Sequence, residues 1–285
     1  MPLAFCILAH KNPEQVRRLV DRLGGNYVYL NVFNSSGSEA KRWLEQFKDT
    51  DSEKVFLNFK YGSSWGGFSL VQATLDSMEF FKDFDYSHFL NLSGQCYPIK
   101  PIDLIEDFYQ RSSCSFVHGK SVPWDEPCED GKGYLNRFTY RWIRIPTPHL
   151  KCPCVSIKLP KFTKTIPGNL KPYLGSQWFS IRKPTIASIL EITRTSPKLL
   201  SYFEGVKIPD ESFFQTILYN SNEIIINDNH RYIDWTKKGV SLPAFLDMGD
   251  LSNLKQSPNF FARKIDMDAD SDLLYAIDTE LLGVK

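Results

Sequence analysis

Residues 4–25 read AFCILAHKNPEQVRRLVDRLGG, and two changes of pattern inside this stretch decide the fold. Ala4–Leu8 is a short, unbroken apolar run of the kind that forms a strand buried on both faces. Asn12-Pro13-Glu14 then reads as a helix start: an N-cap side chain, a proline at the first helical position and an acid in the first turn. Leu19, Val20 and Leu23 fall on its core face, and Gly24-Gly25 ends it.

The same alternation continues outward. Tyr27–Phe33 reads as a second strand, Ser38–Phe47 as a helix, Val55–Phe59 as a third strand and Phe68–Phe81 as an amphipathic helix with Leu70, Val71, Leu75 and Met78 on one face. His88–Leu92 reads as a fourth strand and Ile102–Tyr109 as a helix after Pro101. Strands alternating with helices predict an α/β fold with a mostly parallel central sheet flanked by helices. Ligands of such sheets bind beyond the carboxyl ends of the strands. Toward the end, Pro209–Asn220 reads as a helix, Glu223–Asn227 as a strand and Phe260–Ile265 as a short apolar–basic run. No internal repeat or Gly/Ser-rich linker cuts the chain, so a single domain over residues 1–285 is expected.

The middle differs in charge. From Gly131 to Leu190 there is no Asp or Glu, yet there are eleven Lys and Arg, and prolines recur from Pro146 to Pro184. This predicts long loops and short strands. The segment Lys132–Lys183 is either a solvated basic face or a surface that meets an anionic substrate or an anionic membrane.

Composition sets the outer bounds. Apolar residues make up 42% and charged residues 24%, which excludes a disordered or fibrous chain. The net charge of +1, from 34 basic and 33 acidic residues, argues against a nucleic-acid partner held by bulk charge. The run Leu3–Ala9 is too short to span a bilayer, and no basic start or cleavage pattern accompanies it. Six cysteines without framework spacing read as free thiols of a reducing cytoplasm. Asp266, Asp268, Asp270 and Asp272 imitate a calcium loop, but Ser271 and Ile277 stand where glycine and glutamate are needed. Phosphate loops, Gly-x-Ser-x-Gly elbows and His-Glu-x-x-His are absent.

Five segments, in order, carry a more specific signal: Ser64-Trp65-Gly66-Gly67-Phe68-Ser69-Leu70, His88 through Ser93-Gly94 to Tyr97-Pro98-Ile99-Lys100, Gly175-Ser176-Gln177-Trp178-Phe179, Ile208-Pro209-Asp210-Glu211-Ser212-Phe213-Phe214, and Phe260-Phe261-Ala262-Arg263-Lys264. In this order the chain resembles the core-2/I-branching N-acetylglucosaminyltransferase and peptide O-xylosyltransferase family, glycosyltransferase family 14, from Ala4 to about Asp270.

The resemblance implies a GT-A-type fold and an inverting, metal-independent transfer of a sugar, N-acetylglucosamine or xylose, from a UDP-sugar to an acceptor hydroxyl. Residues 1–120 would form the nucleotide-binding half; residues 121–285 would form the acceptor side and the C-terminal diphosphate-binding segment. It makes Glu211 the catalytic base and Lys264, with Arg263, the holder of the diphosphate. It places His10 at the uridine and Tyr232, Trp235, Arg137 and Arg141 on the acceptor side with Trp178 and Asp210. No cofactor or divalent metal is expected.

The chemistry of these residue types agrees. A single in-line displacement needs a base opposite the leaving group, and Glu211 falls in the first turn of the predicted helix, where the dipole favours a carboxylate. Asp210 and Glu211 can equally be plain helix caps. The departing diphosphate needs cations, which Arg263 and Lys264 supply; they can also be an ordinary exposed pair. Trp65 and Trp178 suit either a sugar face or the core. Gly66 and Gly67 allow close backbone approach to a ligand, and Ser93-Gly94 ends a strand at the ligand-facing edge.

Two positions depart from the family pattern: Cys96 stands where an Asp is frequent before Tyr-Pro, and Asn31-Val32-Phe33 where His-x-Asp is frequent. Both bear on donor choice. A chain opening on its first strand resembles a bacterial, cytoplasmic member. Its expected acceptor is a growing surface glycan, lipid-linked at the inner membrane face. The competing expectations are a metal-dependent enzyme using Asp266–Asp270, a non-catalytic glycan-binding protein, and an enzyme modifying protein serine.

Overall fold

The computed structural model describes residues 1–62, 66–124, 132–146, 154–160, 165–236 and 243–284, leaving aside the side chains of 144–146 and 154–155. Residues 1–112 form β1 (Ala4–Ala9), α1 (Pro13–Arg22), β2 (Tyr27–Val32), α2 (Gly37–Gln46), β3 (Val55–Asn58), α3 (Phe68–Phe81), β4 (His88–Ser93), β5 (Tyr97–Pro98) and α4 (Ile102–Arg111). Residues 113–228 form β6 (Ser115–Phe116), β7 (Gly119–Ser121), α5 (Asn136–Thr139), β8 (Tyr140–Pro146), β9 (Cys154–Pro160), β10 (Tyr173–Gly175), β11 (Ser180–Arg182), α6 (Lys183–Thr195), α7 (Pro197–Glu204), α8 (Phe213–Tyr219) and β12 (Ile225–Ile226). The remainder forms β13 (Arg231–Ile233), α9 (Leu251–Gln256), β14 (Phe261–Arg263) and α10 (Ser271–Ala276).

Two compact units result, each built from separated stretches: Met1–Lys60 with Asp85–Ser112 and Asn229–Lys285, and Tyr61–Phe84 with Ser113–Asp228. The C-terminal segment therefore belongs with the first strands of the chain.

In the first unit the strand order is β4-β1-β2-β3, all parallel, with Leu8 opposite Asn31 on one side and Ser93 on the other. Every residue of β1 is buried, as its unbroken apolar run requires. Leu19, Val20 and Leu23 of this segment are buried as expected, Val16 is buried with them, and Gly24 ends α1 at φ 62°. The Asn12 side chain does not cap α1; its Nδ2 donates to Asp266 instead, and only its backbone carbonyl accepts from Val16 N. Strand β14 lies between β13 (parallel) and β5 (antiparallel), and Phe261 meets Phe5 edge-on at 6.3 Å.

In the second unit β6 is flanked by β12 and β11, the latter antiparallel. Phe213 lies edge-on to Phe68 and Phe203, and Phe214 tilts on Phe179. Helix α3 has its predicted bounds, but Leu70 is only half-buried while Ala73, Thr74 and Ser77 are buried. The hydroxyls of Thr74 and Ser77 bond back to Leu70 O and Ala73 O, so a polar face can enter the core.

Helix α6 begins inside the stretch expected to hold only loops and strands. Pro184 sits in its first turn, where a missing N–H costs nothing. Cys6, Cys96 and Cys114 are free thiols. Cys128 and Cys152 lie outside the described residues. Among the described residues no helix is long and apolar enough to cross a membrane.

The ends of the first unit are tied by Asp278, only 3% exposed, which accepts from Arg18, Arg22 and Tyr97 Oη at 2.8–2.9 Å. Burial alone would raise its pKa, but the hydrogen bonds from Arg22, Arg18 and Tyr97 hold it below the usual carboxylate value. A depressed carboxylate stabilises fully above its unfolded pKa of about 3.9, and that stabilisation is lost as pH falls through the folded value. Asp278→Asn is expected to cost about 2 kcal/mol at neutral pH. The gap to wild type should close in acid, where both proteins lack the carboxylate; urea unfolding at neutral and acidic pH measures both, and a gap that persists in acid contradicts the assignment.

Candidate active site

In the first unit the carboxyl ends of β1 and β4 carry the expected donor-pocket residues. Gly94 N donates to Leu8 O at 2.9 Å, so the two strand ends are joined. A Cβ at Gly94 would stand 2.9 Å from Val16 Cγ2 and 3.0 Å from Ala9 Cβ. Gly94 is thus required by packing between β1, α1 and this turn. Ser93 is 8% exposed and its Oγ accepts from Gln95 N. Cys96 is fully buried and its Sγ accepts from Ser93 N, so the residue that replaces the family's Asp fastens the turn from within. Phe33 is buried as well.

Residues 263–268 cross these strand ends as a strap. Gln15 Nε2 donates to Gly94 O and Ile265 O at 2.9 and 3.0 Å, and Gln15 Oε1 accepts from Met267 N at 2.7 Å. Ile265 N donates to Gln95 O. Asp266, 4% exposed, accepts from Asn12 Nδ2 and Gln95 Nε2 at 3.0 Å and pairs with Lys11 Nζ at 2.6 Å. The strap brings Arg263 and Lys264 to the same edge as His10, which is exposed. Lys264 Nζ lies 4.6 Å from the centre of the Phe245 ring. The peptide bond between Arg263 and Lys264 is cis.

The electrostatics of this edge are those of crowded cations. Burial, reinforced by Arg263 and Lys11 and opposed by Asp266, lowers the Lys264 pKa. Desolvation, with Lys11 and Lys264 adding, lowers that of His10. Desolvation of Lys11 is outweighed by its bonds to Asp266 and Asp268, so its pKa rises. An anion arriving here would relieve the repulsion. The acidic run is differently employed: Asp266 is held as above, and Asp270 caps α10 through Asp272 N and Leu273 N. Among the described residues no group of three or more His, Cys, Asp or Glu side chains converges as metal ligands would.

Tyr232 and Trp235 also belong to the first unit. Strand β13 sets Tyr232 beside Ala262 and Ile233 beside Arg263, and Trp235 is 64% exposed.

The second unit holds Glu211. Ile208 takes a left-handed backbone (φ 54°), and Pro209–Glu211 forms a 3₁₀ turn that Ser212 separates from α8. Glu211 therefore does not occupy the first turn of an α-helix, contrary to the expectation, and no α-helix dipole favours its carboxylate there. Its charge partner is Arg137, whose guanidinium donates to Glu211 Oε2 at 2.7 Å and lies 4.8 Å from the Tyr134 ring. Arg137 is 13% exposed and Glu211 38%.

Asp210 is buried. Gly66, at φ 66°, fits against Ile208: a Cβ there would meet Ile208 Cγ1 at 3.1 Å. Gly66 and Gly67 are buried, and Gly67 precedes α3 as its N-cap. Trp178 is 7% exposed, which selects the core reading for it, and Trp65 lies outside the described residues. Arg141 is exposed on β8.

Reasoning from sequence missed Lys11, Gln15 and Gln95, and it considered Asp266 only as a metal ligand. Nothing local marks them, since the bonds from Gln15 and Asn12 to the strap join residues about 250 apart in sequence. Gln15→Leu removes all three of its bonds, two of them to the strap, with a side chain of similar size, and a loss of about 2 kcal/mol is expected. Amide exchange of Met267 should accelerate beyond what that global loss explains; an unaltered Met267 amide would show that the strap is held by other means.

Residues 3–254 match the family model described as Core-2/I-Branching enzyme, a match that ends short of Arg263. Over 99% of its length the chain is 24% identical to Xylosyltransferase 1 of Rattus norvegicus, covering 35% of that protein. It is 26% identical to Xylosyltransferase sqv-6 of Caenorhabditis elegans, over 96% of this chain and 36% of that protein. The chain spans about a third of the length of the curated relatives it matches. A solved structure of GalNAc-T7 with UDP, GalNAc and Mn2+ aligns with 66% of this chain and 36% of its own, at 14% identity and a TM-score of 0.36. With a family match over most of its length, the chain belongs to the Core-2/I-branching enzyme family.

Proposed function

We propose that this chain is an inverting glycosyltransferase that moves a sugar from a UDP-sugar to a hydroxyl of a glycan acceptor without a divalent metal. The observation that carries the proposal is the strap, which fixes Arg263 and Lys264 at the carboxyl edge of a parallel sheet, where ligands of such sheets bind. Xylose is the favoured sugar, because the matched relatives are named xylosyltransferases. N-acetylglucosamine is the other choice, and one or two hydroxyl contacts separate the two.

In the proposed step Glu211 takes the acceptor proton. The acceptor oxygen bonds to the anomeric carbon as the bond from that carbon to the β-phosphate oxygen breaks. The electron pair leaves on UDP, where Arg263 and Lys264 meet the charge that builds on the β-phosphate. Arg137 holds Glu211 Oε2 and so assigns proton transfer to Oε1. Burial and the neighbouring Arg263 lower the Lys264 pKa, and the negative charge of an arriving diphosphate would oppose that.

Glu211→Gln keeps the size and hydrogen-bonding reach of the side chain but removes the base. Transfer should fall by at least about a hundredfold while donor binding stays at the wild-type level. Arg137→Ala should lower kcat with little change in donor KM, and Arg137→Lys should restore part of it. Turnover with UDP-xylose and UDP-N-acetylglucosamine across glycan and peptide acceptors measures this. A Glu211→Gln protein that transfers at the wild-type rate contradicts the role.

A further inference from the structure

Strands β8 and β9 form an antiparallel ribbon that has no third strand among the described residues, running from the Tyr140–Pro160 pair to the Pro146–Cys154 pair. At seven residues per strand it is about 23 Å long. Its root is fixed: Trp142 N donates to Gly205 O, and Lys207 Nζ lies 5.1 Å from the Trp142 ring.

Cross-strand partners share a face, so Arg141–Leu159 and Ile143–Ile157 lie on one side and Tyr140–Pro160 and Trp142–Lys158 on the other. The second side is occupied, with Lys158 Nζ 3.7 Å from the Tyr140 ring. The first exposes aliphatic surface: Ile143 and Ile157 are each 42% exposed and Leu159 38%. An aliphatic face of this kind on a two-stranded ribbon is unfavourable in water.

Charge decides what covers it. Between residues 141 and 164 the sequence carries Arg141, Arg144, Lys151, Lys158, Lys161 and Lys164 and no carboxylate. Glu204 precedes Gly205, whose carbonyl accepts from Trp142 N at the ribbon's root. Two such ribbons facing each other would repel. The described side chains of the open face include no aromatic ring on which a base or sugar could stack. Arg141 beside aliphatic side chains, in a segment whose sequence is rich in Lys and Arg, matches the boundary between anionic headgroups and acyl chains.

We propose that the β8–β9 ribbon docks the protein on an anionic lipid surface, with Ile143, Ile157 and Leu159 entering the headgroup–acyl boundary and Arg141 on the same face meeting a lipid phosphate. This stands independently of the transfer reaction.

The test is flotation of the full chain with vesicles of phosphatidylcholine alone or mixed with phosphatidylserine, at low and high salt. Wild type should float with the anionic vesicles at low salt, weakly at high salt, and not with the neutral ones. Ile143→Ser/Ile157→Ser should lower the partition coefficient about tenfold. Arg141→Gln, on the open face beside Leu159, should lower it about fivefold, the effect of one cation near the surface. Both variants alter exposed side chains, so their thermal midpoints should match wild type.

Ile157→Trp adds a reporter whose emission should shift to the blue on anionic vesicles. Wild type that stays at the bottom of the gradient, or an Ile143→Ser/Ile157→Ser variant that floats equally well, overturns the proposal. So does sedimentation showing that the wild type self-associates and that this double variant does not, which would assign the face to a second copy.

Discussion

The amide of Gln15 satisfies three backbone groups at once, and the site of the first unit depends on that. Its Nε2 joins the turn after β4 to the strap, and its Oε1 receives the strap's next amide. Asp266 secures the same strap through Lys11, Asn12 and Gln95. Gln15, Gln95 and Asp266 are buried, and each would cost free energy if left without its partners. The chain has one economical way to satisfy them, with residues 263–268 laid across the ends of β1 and β4. Arg263 and Lys264 stand at that edge as a consequence of backbone satisfaction, before any ligand is considered.

That placement has an electrostatic cost. Lys264 is drawn below its usual pKa by burial and by Arg263, and His10 by desolvation and its lysine neighbours. Asp266 compensates one cation, Lys11, through a 2.6 Å pair in which the carboxylate is buried and the lysine partly exposed. A cluster held in this way is poised for a ligand that brings negative charge, which a diphosphate does. The second unit solves the opposite problem at Glu211, where one carboxylate oxygen is fixed by a nearly buried arginine that itself stacks on Tyr134. Orientation of Glu211 is therefore a property of the fold, as a base for an in-line displacement requires.

What could be read from the sequence followed the range of the interaction. The strands and helices of residues 4–111 were legible because burial leaves local marks on the residues themselves, short apolar runs in the strands and a 3.6-residue period in the helices. Helix α6 was hidden by basic and proline-rich composition, since Pro184 reads as a breaker until it is seen to occupy a first turn. Asn12 looked like a cap, but a buried carboxylate more than 250 residues away competed for its amide and won. Glu211 was singled out through family likeness, while its 3₁₀ setting follows from the left-handed backbone of Ile208 and the packing of Gly66 beneath it. Arg137 was named for the acceptor side; its pairing with Glu211 is a long-range contact that no spacing announces.

The central claim is that the strap's cation pair, without a metal, holds a nucleoside diphosphate. The most direct measurement is calorimetric titration of UDP in excess chelator, with wild type and with Arg263→Ala/Lys264→Ala. The account predicts micromolar binding to wild type, about −8 kcal/mol. It predicts a loss of roughly 3 kcal/mol or more in the variant, about a hundredfold in affinity. No binding by wild type in chelator, or equal binding by the variant, would contradict it.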